Sequence, residues 1–276
     1  MNRHELRHFL VNGPIRPLAS FVYGVAINLE LAVARMLPVS IDHSLDEQVT
    51  VLIKTFERPA ILRRLVASIR RGYPSIPVIV VDDSREPTRL PDVETIVLPY
   101  DSGVSAGRQA GLDHVQTPFV LVVDDDYVFL PTTTLAPAVE KLVRNTLIDI
   151  LGGMRIDLPL FRCWKLPDGR KFKTPQPLVP IGSTIDDLLV CDFIANFYIA
   201  RTERLRLVGW DEQIRRLDHS DFFRRALGVL VTVYSPELRV LHAQTPFDAA
   251  YMTHRMNFAQ DLAILKARWS KRHENQ

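Results

Sequence analysis

Three consecutive aspartates, Asp124-Asp125-Asp126, follow the apolar run FVLVV at 119–123. On an extended chain the side-chain period is two, so Asp124 and Asp126 share one face at the lip of a buried strand while Asp125 takes the other. Two carboxylates held that close repel unless a cation or a hydrogen-bond donor lies between them. A hard divalent ion with oxygen ligands suits the pair, and a diphosphate can complete its shell. The same residue types also build a helix-capping turn. Other polar groups follow other apolar runs: Thr55 and Arg58 after VTVLIK at 49–54, and Asp82-Asp83 after IPVIVV at 76–81. Asp82-Asp83-Ser84 can equally be a simple turn. In open parallel sheets ligands bind beyond the carboxyl ends of the strands, so these three groups are expected to converge.

The elements that must position them alternate strand and helix from about residue 48. Val49 to Lys54 reads as a β-branched strand, and 59–71 as a helix with Ile61, Leu62, Leu65, Val66 and Ile69 on one face and Arg63, Arg64 and Arg70 opposite. Residues 76–81, 96–98 and 119–123 read as further strands, 105–114 and 131–145 as helices. The pattern predicts an α/β fold whose continuous apolar strands are of the kind that parallel sheets use. Residues 156–190, rich in Pro and polar residues, read as an excursion from this body, and 247–273 as a helix with a basic end (Lys266, Arg268, Lys271, Arg272). Three segments follow: an N-terminal helical segment 1–46, a catalytic-type domain 47–246 and a C-terminal helix 247–276.

The chain has 276 residues, 47% hydrophobic and 24% charged, with 34 Lys plus Arg against 32 Asp plus Glu. That composition excludes a disordered chain or a coiled coil, and the balance of +2 gives no electrostatic case for nucleic acid as a partner. Cys163 and Cys191 form no metal-ligand pattern, and a reducing compartment is expected. The run LASFVYGVAINLELAVARML at 18–37 has the length of a membrane span but carries Asn28, Glu30 and Arg35. Such residues are costly in lipid, so the expectation is a helix packed on the protein body or lying at a membrane surface. No small-residue cleavage site follows it, which argues against a cleaved signal. A cytoplasmic location, peripheral to a membrane at most, is therefore expected.

The segments VTVLIKTFERP, VDDS, SGVSAGRQAGL and VLVVDDDYVF come in the order and spacing of the nucleotide-diphospho-sugar transferases of the GT-A fold. They resemble in particular the β-1,4-N-acetylgalactosaminyltransferases that build ganglioside-type sugars. The likeness continues through LGG at 151–153, CDFIANFYIART at 191–202, VGWDEQIRRLDHSDFF at 208–223 and VLHA at 240–243.

This resemblance implies an inverting transfer of GalNAc or a related hexose from a UDP-sugar donor to a glycan or glycolipid hydroxyl, assisted by Mn2+ or Mg2+. It implies that Thr55 and Arg58 contact the nucleotide and that Asp83, with Asp82 beside it, accepts the uracil imide proton. Arg108 is expected against the base or an acidic group, Asp124 and Asp125 at the donor, and Asp126 and His242 on the metal. Asp221 is expected to be the catalytic base, with Asp218 in reserve; either aspartate also has the position to cap the helix at 222–227. Asp192 and Asn196, four apart, are candidates for sugar hydroxyls, and Trp210 for stacking on the acceptor. Two other classes compete: a nucleotide-sugar-binding domain without turnover, and a sugar-nucleotide pyrophosphorylase. The latter is disfavoured because the first strand runs into KTFERP rather than a glycine-rich phosphate loop.

Overall fold

The computed structural model describes residues 11, 13–166, 170–173 and 175–270. Helix α1 (Arg16–Met36) precedes strand β1 (Val49–Thr55), which is buried along its whole length because both of its faces are covered. The alternation continues through α2 (Pro59–Gly72), β2 (Val78–Asp82), β3 (Glu94–Val97), α3 (Val104–His114) and β4 (Phe119–Asp124). Then come β5 (Tyr127–Val128), α4 (Ala136–Arg144), β6 (Ile150–Asp157), β7 (Arg162–Cys163), β8 (Thr184–Ile185), β9 (Leu188–Val190) and β10 (Phe197–Arg201). The remainder is α5 (Thr202–Arg206), α6 (Asp218–Ala226), β11 (Thr232–His242), α7 (Ala249–Met256) and α8 (Ala259–Ser270).

One sheet runs in the order β3-β2-β1-β4-β10-β6-β11-β9-β8. The β3-β2-β1-β4 part is parallel, β10 is inserted antiparallel between β4 and β6, and β6 pairs in parallel with β11. The strand–helix alternation predicts the α/β architecture, and the mixed, mainly parallel sheet with helices on both faces is the one that the GT-A resemblance implies. In β1 the period of two sorts the core. Val49, Val51 and Ile53 pack with Leu62, Leu65 and Ile69 of α2, while Leu52 packs on the opposite face with Leu112 of α3.

Lys54 falls on the same side as Leu52, under α3, and there the helix needs glycine. A Cβ at Gly107 would lie 2.1 Å from the Lys54 Cδ, and one at Gly111 2.2 Å from the Leu52 Cδ1. Gly103, which opens α3 at φ +103°, carries a backbone conformation that side chains disfavour, and a Cβ there would meet Arg215 at 2.9 Å. The glycines of SGVSAGRQAGL therefore let α3 sit close on the sheet with its N-terminus at the strand ends.

Several boundaries differ from the sequence reading. The helix expected over 131–145 begins only at Ala136, because the Thr133 hydroxyl accepts from the Leu130 amide and donates to the Arg239 carbonyl, fixing a turn. The C-terminal stretch is two helices that break at Asn257-Phe258; Lys271 and Arg272 lie outside the described residues. The excursion contributes short antiparallel pairings, β6 with β7 and β8 with β9. Both cysteines are unbridged, Cys163 exposed and Cys191 buried.

Helix α1 packs Ile27, Leu31 and Ala34 against Val128, Leu158, Leu241 and Ala243. Its other side exposes Leu18, Phe21, Val22, Val25, Leu29, Val33 and Met36. By length and composition it is long and apolar enough to cross a membrane.

Candidate active site

The carboxyl ends of β1, β2 and β4 open on a cleft of about 230 Å³, which α3, α6 and α7 also line. At its floor Thr55 donates a hydrogen bond to Asp125 (2.8 Å). Arg58 clasps the same carboxylate through its Nε (3.2 Å) and a second guanidinium nitrogen, and reaches Asp126 at 3.4 Å. The Arg58 guanidinium lies 3.7 Å from the Tyr251 ring centre, a cation–π contact with α7. Burial pushes the Asp125 carboxyl up against the pull of Arg58.

Asp126 faces His242 across 3.3 Å, and the imidazole Nδ1 donates to Asp157 at 2.7 Å. Burial would raise Asp126, but His242 and Arg58 outweigh it and hold its carboxyl well below the ordinary range. Burial would lower His242, and the two carboxylates raise it instead. An imidazole turned toward a carboxylate by a second carboxylate behind it is the arrangement that orients a histidine for metal binding. Among the described residues no three His, Cys, Asp or Glu side chains converge closely enough to hold a metal by themselves. Asp126 and His242 therefore fit a divalent ion only as two ligands of a set that a diphosphate and water would complete.

Arg108, 2% exposed, joins the two halves of the chain: one nitrogen binds Asp124 at the end of β4, the other Asp218 at the start of α6. Asn196 also donates to Asp124 (3.3 Å). Asp83 accepts from Lys54, which passes beneath Gly107, and from the Gly103 amide (2.9 Å). Burial pulls Lys54 below its ordinary value despite Asp83. Beside this pair, Phe56 meets His254 (5.0 Å between ring centres) and Tyr100 (5.5 Å).

Thus Thr55, Arg58, Asp83, Arg108, Asp124, Asp125, Asp126, Asn196 and His242 meet in one cleft, and Asp218 joins them. Four other candidates do not. Asp82 accepts from the Ser84 amide (2.9 Å), the Ser84 hydroxyl and the Thr88 amide (2.8 Å), so it shapes the turn after β2 and does not line the cleft. Asp192 lies away from the cleft and accepts from the Phe172 amide (2.8 Å), tying the excursion to the body. Trp210 stacks on Phe222 (5.1 Å) in the core behind Arg108, which leaves no face for an acceptor. Asp221, 1% exposed, is locked by Arg225 (2.7 Å) and Arg268 (2.8 Å), because α8 packs against α6 on the side away from the cleft lining. The base expected at Asp221 is therefore not at the site.

The sequence reading missed Lys54, Arg155, Arg216, His219, Tyr251, His254 and Arg255, all of which line the cleft. A lysine ending an otherwise apolar strand was the signal for Lys54. The α7 residues carried none, since their place depends on the break between α7 and α8.

Residues 50–185 match the family model described as Glycosyl transferase family 2. Beta-1,4 N-acetylgalactosaminyltransferase 1 of Rattus norvegicus is 34% identical over 223 residues, 75% of this chain and 41% of that protein. Beta-1,4 N-acetylgalactosaminyltransferase 2 of Mus musculus is 35% identical over 204 residues, 72% of this chain and 40% of that protein. The chain thus spans about two fifths of the length of these relatives. Among solved structures, S. aureus TarS superposes with a TM-score of 0.53 at 18% identity, covering 72% of this chain and 37% of that one. GalNAc-T7 with UDP, GalNAc and Mn2+ also gives 0.53, at 14% identity over 71% of this chain and 43% of that one. Residues 50–185 are a glycosyl transferase family 2 domain, and the sheet that carries the cleft has the GT-A fold.

Proposed function

We propose that the cleft binds a UDP-sugar with a divalent cation and transfers its sugar, GalNAc or a related hexose, to a hydroxyl of a glycan or glycolipid with inversion at the anomeric carbon. The observation that carries this reading is Asp126 facing His242, backed by Asp157, among the buried cations Arg58, Arg108 and Lys54 at the strand ends. That set suits a diphosphate bridged by a metal ion: Mn2+ or Mg2+ when bound would neutralise the charge that builds on the leaving diphosphate. Imidazole among the ligands favours Mn2+ over Mg2+. The names of the relatives support the sugar class, and GalNAc-T7 with UDP and Mn2+ supports the donor and metal classes. Lys54, Phe56, Asp83 and His254 form the side where the base fits, a ring-lined recess with a fixed carboxylate.

A nucleotide-sugar-binding domain without turnover is the second reading, favoured by the placement of Asp221 outside the cleft and opposed by that of Asp218 within it. Titration calorimetry with UDP tests the shared part of both readings. Binding that tightens about tenfold or more when Mn2+ is added is the expected result, because the metal supplies the bridge between diphosphate and protein. Absence of UDP binding with Mn2+ or Mg2+ contradicts both readings.

A further inference from the structure

His219 lines the cleft one residue beyond Asp218. Its Nε2 lies 2.5 Å from the Ile194 carbonyl oxygen. A carbonyl only accepts, so Nε2 carries the proton and Nδ1 keeps the lone pair of a neutral imidazole. The ring is fixed by stacking on Phe193 (4.3 Å between centres, 27°) and by an edge contact with Phe223 (5.2 Å). Among the described residues no hydrogen bond or ion pair occupies Nδ1.

The carboxylates of the cleft are differently placed, each being held by a cation. Asp83 is held by Lys54, Asp124 and Asp218 by Arg108, and Asp125 and Asp126 by Arg58. Each of those ion pairs already occupies carboxylate oxygens that a proton acceptor would need free. His242 is occupied between Asp126 and Asp157, and His254 packs against Phe56 and Tyr100 beyond β1. His219 is the lining group that combines a fixed orientation with an unoccupied acceptor nitrogen.

We propose that Nδ1 of His219, rather than an aspartate, takes the proton from the attacking hydroxyl. The inference rests on the glycosyl-transfer reading above. In the step, the acceptor oxygen bonds to the anomeric carbon and its proton passes to Nδ1. The bond from that carbon to the diphosphate oxygen breaks, and its electron pair leaves with UDP. The imidazolium then returns its proton to water. In the ligand-free cleft, burial and the charges of Arg108, Lys171 and Arg155 push this imidazole down to about 3. A bound diphosphate opposes those same cations, so the base strengthens when the donor is present, which couples proton removal to donor occupancy.

The test uses UDP-GalNAc with Mn2+, water serving as the acceptor, and reads UDP release beside UDP affinity. His219→Gln keeps an N–H able to reach the Ile194 carbonyl but has no basic nitrogen. The expected result is a rate lowered about 100-fold or more with UDP affinity changed less than about threefold. His219→Ala should show a similar loss, and added imidazole should restore part of its rate, an effect that a structural role would not produce. Turnover at the parent rate by His219→Gln, or loss of UDP affinity in proportion to rate, overturns the proposal. Parent protein that binds UDP without releasing it from the donor defeats the transfer reading and this proposal together. Parent turnover with unimpaired variants defeats this proposal alone.

Discussion

Asp126→Ala is expected to abolish the part of UDP binding that depends on Mn2+, a loss of about 100-fold or more in affinity by calorimetry. The substitution removes a charged oxygen ligand, and it also deprives His242 of the group that its Nε2 faces and Arg58 of one of its two carboxylates. Metal-free UDP binding should change far less, since Asp126 pairs with Arg58 and His242 and not with Lys54 or Asp83. That contrast between the two titrations separates a lost ligand from a collapsed cleft. Equal affinities for parent and variant in Mn2+ would place the metal elsewhere.

Arg108→Met is expected to cost about 3–5 kcal/mol of stability at neutral pH, because two carboxylates that share one buried guanidinium lose it together. A methionine fills similar volume, so little of the loss is packing against Trp210. The pH dependence has a definite sign. Burial already pushes the Asp218 carboxyl up, with Arg108 opposing it. Without Arg108 the folded-state value stands further above the unfolded one, near 4, and a carboxyl raised in this way favours the folded state only while protonated. The gap between parent and variant should therefore be small near pH 4 and widen toward pH 7, which urea unfolding at the two values measures. A gap that does not change with pH would mean that Arg108 does not hold Asp218.

The strand ends were legible because VTVLIKT and FVLVVD are apolar on both faces and stop at polar residues, so the position of Thr55, Asp83 and Asp124 to Asp126 follows from local pattern and one topological rule. Asp82 was not separable from Asp83 by spacing. The difference lies in the Ser84 and Thr88 amides, which close a turn on one carboxylate and leave the other to Lys54. Asp218 and Asp221 are three apart on a helix and share a broad face. Which of them meets the cleft is set by Arg268, 47 residues onward in α8, a contact with no local signature. Trp210 and Asp192 read as exposed polar or stacking groups, whereas tertiary packing takes one into the core with Phe222 and the other to an amide of the excursion. The α7 wall, with Tyr251, His254 and Arg255, depends on a helix break that the composition of 247–273 does not announce.

The most direct measurement is release of UDP from a panel of UDP-sugars by the parent chain in Mn2+, because hydrolysis is visible without knowledge of the acceptor. The expected result is release from UDP-GalNAc or a related UDP-hexose, dependent on Mn2+ or Mg2+ and lost in Asp126→Ala. Release from none of the panel would contradict it.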